Sequence, residues 1–217
     1  MISYNYVQIL LLQKNIGFYG DIIMKKMILV AAPPACGKNY VSELICNAVG
    51  NISYFDKDDL NPLLRKSFAL CKENVDMDGE FYLENLRSAE YKTLFNLSFS
   101  ALRFSKSVLV NAPLLKEIRN TEYMKDLKEM AHELDAELIL VWIIASSDAC
   151  YERMKARNSD RDVQKLANWD EYRRKTDYTS PNALLACGAV DKLFIFDNEN
   201  NEAASKSLKK LLEILEV

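Results

Sequence analysis

Histidine is almost missing from this chain: of 217 residues, only His132 offers an imidazole. The five cysteines, Cys36, Cys46, Cys71, Cys150 and Cys187, are scattered, and no two of them form a Cys-x-x-Cys pair. The sequence therefore lacks a thiolate and imidazole metal motif, and its cysteine usage fits a reducing cytosol, so a cytoplasmic protein is expected. A basic excess is missing too. The formal net charge of −3 gives no global attraction to nucleic acid or to an anionic membrane, and any polyanion must be held by a local basic cleft. Long apolar runs are also absent. Val7 to Leu12, broken by Gln8, is too short to span a bilayer, and the N-terminus has neither the basic start nor the small-residue cleavage site of a secretory leader. There is no internal repeat, low-complexity tract or Gly/Ser linker.

What is present is ordinary for a globular protein with one large core: 49% hydrophobic and 27% charged residues. Residues 1–23 differ in character from the rest. Met24-Lys25-Lys26-Met27 directly precedes the first strand, so a domain over 24–217 is expected to be complete without them, and 1–23 to be a dispensable extension.

The chain is organised around Met27-Ile28-Leu29-Val30-Ala31-Ala32-Pro33-Pro34-Ala35-Cys36-Gly37-Lys38-Asn39-Tyr40. An apolar run stops at two prolines, and Gly-Lys then opens an amphipathic segment, which reads as strand, phosphate loop and helix. A triphosphate needs converging backbone N–H groups, a helix N-terminus and a lysine for its outer phosphates. Ala35, Cys36, Gly37, Lys38, Asn39 and Tyr40 are the candidates for holding it. Measured against the pattern Gly-x-x-x-x-Gly-Lys-Ser/Thr, Ala32 stands at the first glycine and Asn39 at the hydroxyl position. Pro33 and Pro34 only stiffen the way in, because the phosphate-facing N–H groups come from later residues. Cys36 reads as a small packing residue, the alternative being a thiol made acidic by the helix N-terminus.

Further along, Val41, Leu44, Ile45 and Ala48 recur at helical spacing up to Gly50. Ile52 to Phe55 is a short strand, followed by the acidic cluster Asp56-Lys57-Asp58-Asp59 at the edge where open parallel sheets bind ligands. Asp58 or Asp59 reads either as a functional carboxylate or as a cap for the helix near Leu60 and Pro62. Phe81 to Phe104 is expected to be one long helix with Leu94, Leu97, Ala101 and Phe104 on its buried stripe. Ser107 to Asn111 and Glu137 to Ala145 are apolar strands buried on both faces. Between them lies a helix marked by Tyr123, Leu127, Met130 and Leu134, on which His132 reads as a solvated surface residue. Ser146-Ser147-Asp148 caps a helix to Arg157. Arg153 and Arg157 share its face and Arg161 follows, either as solvated charges or as the guanidinium forks of a phosphate-closing lid at about 153–180. Trp169 to Asp177 is a short charged helix, Lys192 to Phe196 a fifth strand, and Ala204, Leu208, Leu211 and Leu215 line a terminal helix.

Five strands alternating with helices predict an α/β three-layer sandwich with a five-stranded, mainly parallel sheet and right-handed crossovers. Here the residues resemble a known group, the P-loop phosphotransferases of the polynucleotide 5′-kinase, zeta-toxin and chloramphenicol phosphotransferase kind. The resemblance runs from about Met24 to Arg161 and is closest to the kinase domain of phage-type polynucleotide kinase. Lys25-Lys26-Met27-Ile28-Leu29 with the loop, Asp58-Asp59, Arg119 and Arg157-Asn158-Ser159-Asp160-Arg161 carry it, by their order and approximate spacing.

The resemblance implies an ATP- or GTP-binding kinase with Mg²⁺ and an acceptor hydroxyl on a small molecule or nucleic acid. Lys38 would hold the outer phosphates, Asp58 would take the proton of the attacked hydroxyl, and Arg157 and Arg161 would clasp the nucleotide and the transferred phosphoryl group. Resemblance to nucleoside monophosphate kinases adds Arg153 stacking on adenine. Asp56, Asp59 and Arg119 are the candidates on the acceptor side. Asn39 and Asn111 depart from the pattern: Asn39 offers Mg²⁺ a neutral amide oxygen where the family has a hydroxyl, and Asn111 stands near the family's aspartate. A nucleotide-binding module or slow NTPase with a regulatory role therefore stays open beside the kinase.

Overall fold

The computed structural model describes residues 24–159 and 162–216. The expected extension 1–23 and the lid residues Asp160 and Arg161 lie outside them. Five strands form one sheet: β1 (Lys25–Ala31), β2 (Ser53–Asp56), β3 (Ser107–Asn111), β4 (Ala136–Ile144) and β5 (Lys192–Asp197). Their order is β2-β3-β1-β4-β5 and every pair is parallel. The expected α/β sandwich is the observed fold.

Central strands of a parallel sheet are covered on both faces and so carry unbroken apolar runs. In β1, Met27 to Ala31 are all wholly buried. Because side chains alternate along a strand, the run divides between two cores. Met27, Leu29 and Ala31 pack with Tyr91, Phe95 and Phe99 of α3 (Arg87–Leu102) and with Met124 and Leu127 of α4 (Thr121–His132). Ile28 and Val30 pack with Val41 and Ile45 of α1 (Lys38–Val49) and with Ala204 and Leu211 of α9 (Asn201–Leu215). The remaining helices are α2 (Asn61–Cys71), α5 (Ser147–Arg157), α6 (Val163–Ala167), α7 (Trp169–Lys175) and α8 (Asn182–Ala186).

Several helix starts follow from local chemistry. The side chains of Asn120, Ser146 and Asn200 accept backbone N–H bonds at the starts of α4, α5 and α9, satisfying donors that a first turn leaves unpaired. At the acidic cluster the cap is Asp56, which accepts from the N–H of Asp58 at 2.8 Å, and neither Asp58 nor Asp59 fills that role.

The expected long helix needs correction. The long helix is interrupted at its start by a π-turn over Tyr82–Leu86, and its buried stripe is rotated. Leu94 is buried, but Leu97 is 47% and Phe104 92% exposed, while Tyr91, Phe95, Phe99 and Leu102 are buried. The segment is apolar on more than one face, and the face with three aromatic rings removes more surface from water than the leucine face. His132 is exposed on α4, as expected, and its Nε2 lies 2.8 Å from Asp191 Oδ2, joining α4 to the start of β5. Among the described residues no helix is long and apolar enough to cross a membrane.

Candidate functional site

The chain leaves β1 at the C-terminal edge of the sheet, between β3 and β4, where open α/β sheets bind ligands. Ala35 and Gly37 both have left-handed backbone, with φ of 63° and 89°, and alternating conformations of this kind turn successive N–H groups toward one concavity. Gly37 is required for a second reason. A Cβ there would fall on Nδ2 of Asn198, a buried side chain that follows β5 and donates to the Cys36 carbonyl at 2.7 Å. The loop thus rests on an amide from the far end of the chain, with α1 opening at Lys38 above it.

Lys38 Nζ lies 2.6 Å from Asn111 Oδ1 and 3.4 Å from Asn39 Oδ1. Asn111 ends β3 in register with Val30 of β1 and Asp56 of β2, and it is wholly buried. Its Nδ2 faces Asp56 Oδ2 at 2.6 Å, the Tyr54 hydroxyl at 2.8 Å and Asn39 Oδ1 at 3.1 Å. An ammonium can only donate and a carboxylate can only accept, so this amide satisfies both neighbours in one orientation alone. Tyr54 donates to the same Asp56 oxygen at 2.8 Å. Burial first, and then the Asp56 carboxylate, push the Tyr54 phenol well above its ordinary value, which keeps it a neutral donor.

The other sequence candidates fall in four places. Asp58 and Asp59 are exposed just past β2, with Asp58 engaged beyond its backbone bond to Asp56. Arg153 reaches back to the phosphate loop: its NH2 donates to the carbonyls of Asn198 at 2.6 Å and Glu199 at 3.1 Å. Its NH1 is buried beside Gly37, with no hydrogen-bond partner among the described residues. Arg157 is bound to Asp162, with Nε and NH2 at 2.8 and 2.5 Å from Oδ2, so its charge is matched within α5 and the turn after it. Arg119 pairs with Asp177 at 2.9 Å, donates to the Thr179 carbonyl at 2.5 Å and lies over the Trp142 ring. It ties the segment after β3 to the stretch following α7.

Sequence reasoning missed five participants. Asn198 follows a strand at the same edge that singled out Asp56 and Asn111, and that placement was the available signal. Tyr54 carried none. Lys57 and Glu90 form a buried ion pair at 2.7 Å, and Tyr82 on the π-turn donates to the other Glu90 oxygen at 2.5 Å. A glutamate four residues before buried Leu94 on a helix was the signal there. This pair anchors the acidic cluster to α3.

The concavity above Ala35 and Gly37, the helix start and Lys38 fit the phosphates of a nucleotide. The oxygen donors at hand for a hard cation are Asn39 Oδ1 and the Asp56 carboxylate, since Asn111 turns its N–H groups toward Asp56 and its oxygen toward Lys38. No group of three His, Cys, Asp or Glu side chains among the described residues is arranged to hold a metal ion.

Residues 27–178 match the family model described as AAA domain. A search among curated proteins gives no match. Solved structures share the fold at low identity. One comes from the PezAT chromosomal toxin-antitoxin system of Streptococcus pneumoniae (16% identical, covering 98% of this chain and 96% of that one, TM-score 0.56). Another is a fungal RNA kinase (12% identical, 88% and 85%, TM-score 0.55). A third is a sugar kinase from Janibacter sp. HTCC2649, unliganded (10% identical, 89% and 95%, TM-score 0.56).

Proposed function

The chain belongs to the AAA domain family, matched over residues 27–178, and from that premise we propose that it is a kinase that moves the γ-phosphoryl group of ATP or GTP to a hydroxyl acceptor. The observation that carries the reading is the placement of Lys38 at the start of α1, above the left-handed residues Ala35 and Gly37 and 2.6 Å from Asn111 at the sheet edge. Backbone N–H groups from Ala35 to Tyr40 cradle the phosphates, and Lys38 exchanges its amide contact for the outer phosphate oxygens. Asp58, exposed beyond β2 on the same edge, orients the acceptor hydroxyl and takes its proton. Asp56 and Asp59 flank it, and Arg119 borders the acceptor side. Arg153 lies against the loop next to the nucleotide, and Arg157 with Arg161 supplies positive charge for the transferred group. Mg²⁺, held through Asn39 and Asp56, neutralises phosphate charge when bound.

A second reading, a nucleotide-binding module or slow NTPase, is favoured by two features. The positions Asn39 and Asn111 carry neutral amides, and Arg157 is already matched by Asp162. Incubation with γ-labelled ATP and a panel of sugar, small-molecule and nucleic-acid hydroxyls separates the two. The kinase reading requires label on one acceptor, lost in Lys38→Ala. Release of inorganic phosphate alone, across the whole panel, supports the module.

A further inference from the structure

Two thiols outside the phosphotransfer chemistry face one another beneath the phosphate loop. Cys36, in the loop between Ala35 and Gly37, and Cys150, in the first turns of α5, have their Sγ atoms 3.6 Å apart, and both side chains are buried. Arg153, one turn further along α5, lies within range of both sulfurs.

We propose that Cys36 and Cys150 are a covalent modification site, at which a hydroperoxide converts the two thiols into an intramolecular disulfide that disables the phosphate loop. The second half of this statement rests on reading the loop as a nucleotide site. The Cys150 sulfur is the attacking group. The Cys36 thiol hydrogen-bonds to it, and the Arg153 guanidinium adds positive charge, so the Cys150 thiol is held below its ordinary value. Cys36 is pushed up by the same hydrogen bond and by burial. The Cys150 thiolate attacks one peroxide oxygen, the O–O bond breaks, and hydroxide or alkoxide leaves to take up a proton, which yields a sulfenic acid. Cys36 sulfur then attacks the Cys150 sulfur, the S–O bond breaks, and the hydroxyl leaves as water with the Cys36 proton. The sum is two thiols and one hydroperoxide giving one disulfide and two molecules of water, or of water and alcohol.

Closing the sulfurs from 3.6 Å to about 2.05 Å pulls Cys36 toward α5. Its carbonyl must then leave Asn198 or drag it along, and its neighbours Ala35 and Gly37 are the two left-handed residues that shape the concavity. A loop fitted to phosphates by backbone N–H groups does not survive such a shift unchanged.

The test uses the full chain carrying Cys71→Ser and Cys187→Ser, which removes the two exposed thiols. After hydrogen peroxide treatment, unreacted thiols are alkylated in denaturant and the unreduced digest is analysed by mass spectrometry. The expected product is a Cys36–Cys150 linked peptide, lighter by two hydrogens. ATP affinity by calorimetry should fall by about tenfold or more, recover with dithiothreitol, and not respond to peroxide once Cys150→Ser is added. Alkylation of both cysteines, or a link to Cys46 instead, overturns the proposal. A Cys36–Cys150 link with undiminished ATP affinity overturns the disabling effect. If the reduced protein binds no ATP while the link still forms, the nucleotide reading fails and the thiol site stands.

Discussion

Asn111 lies between Lys38 and Asp56 as an amide bridge, with Oδ1 2.6 Å from the Lys38 ammonium and Nδ2 2.6 Å from the Asp56 carboxylate. A cation at the start of α1 and an anion at the end of β2 are thereby joined through the end of β3 by a neutral group that serves both. The relationship keeps Lys38 at the sheet edge before any phosphate arrives, and it places the Asp56 carboxylate next to the side chain of Asn39.

Removing this bridge should cost stability. Asn111→Ala deprives the half-buried Lys38 ammonium and a carboxylate of their shared partner, and we predict a loss of about 1–3 kcal/mol in denaturant unfolding. Unfolding midpoints equal to wild type would mean that water replaces the amide without penalty.

Gly37→Ala should be damaging for two separable reasons, the left-handed φ of 89° and the collision with Asn198. The backbone part is about 1–2 kcal/mol. Adding Asn198→Ala relieves the collision alone, so the double variant should be more stable than the sum of the single losses. Strict additivity in a double-mutant cycle counts against the packing described.

The buried pair of Lys57 and Glu90 makes a different prediction. Glu90→Ala strands a buried ammonium and should cost about 3–5 kcal/mol, whereas Lys57→Met with Glu90→Leu should recover most of it. Equal instability of the single and double variants, by thermal and denaturant unfolding, would show that Glu90 is needed for another reason.

A pH dependence follows from Asp191. Burial alone would raise its carboxyl, but the Leu138 N–H, Lys128 and His132 outweigh burial and hold it below its ordinary value. A carboxylate depressed in the folded state contributes stability above its unfolded value, and loses it as pH falls through the folded one. Asp191→Asn should therefore be less stable than wild type by about 1 kcal/mol at neutral pH, with the gap closing in acid below pH ~4. A gap that persists unchanged well below that pH contradicts the linkage.

The sheet was legible because buried parallel strands announce themselves as apolar runs, and Met27 to Ala31 or Leu138 to Ile143 admit few other readings. The phosphate loop was legible from Gly37 and Lys38 between such a run and a helix. The support beneath it was not, because Asn198 meets Cys36 across 162 positions and an Asn after a strand has many ordinary uses. The stripe on α3 was misread for a related reason. Where Leu97 and Phe99 both offer apolar surface, only the shape of the opposing sheet chooses between them. The arginines show the same limit in part: spacing put Arg153 and Arg157 on one helix, and Asp162 lies only five positions past Arg157, but the Arg153 partners Asn198 and Glu199 come from far along the chain.

For the assignment of chemistry, Asp58→Asn is the sharper variant, since Asp56 already caps the turn and Asp58 is exposed. Once an acceptor is identified, transfer should slow by roughly two to four orders of magnitude with an unchanged melting temperature, and Asp59→Asn should lose much less. Wild-type transfer by Asp58→Asn removes it from the catalytic set.

The claim underlying all of these is that the loop ending at Lys38 holds nucleotide phosphates. Isothermal titration of ATP and GTP, with and without Mg²⁺, into wild-type protein and Lys38→Ala measures it directly. The account predicts dissociation constants in the micromolar to millimolar range for wild type with at least one of the two nucleotides, and no measurable binding for a folded Lys38→Ala. Equal affinity in the two proteins, or no heat with either nucleotide for wild type, contradicts it and leaves the loop a strand-to-helix turn.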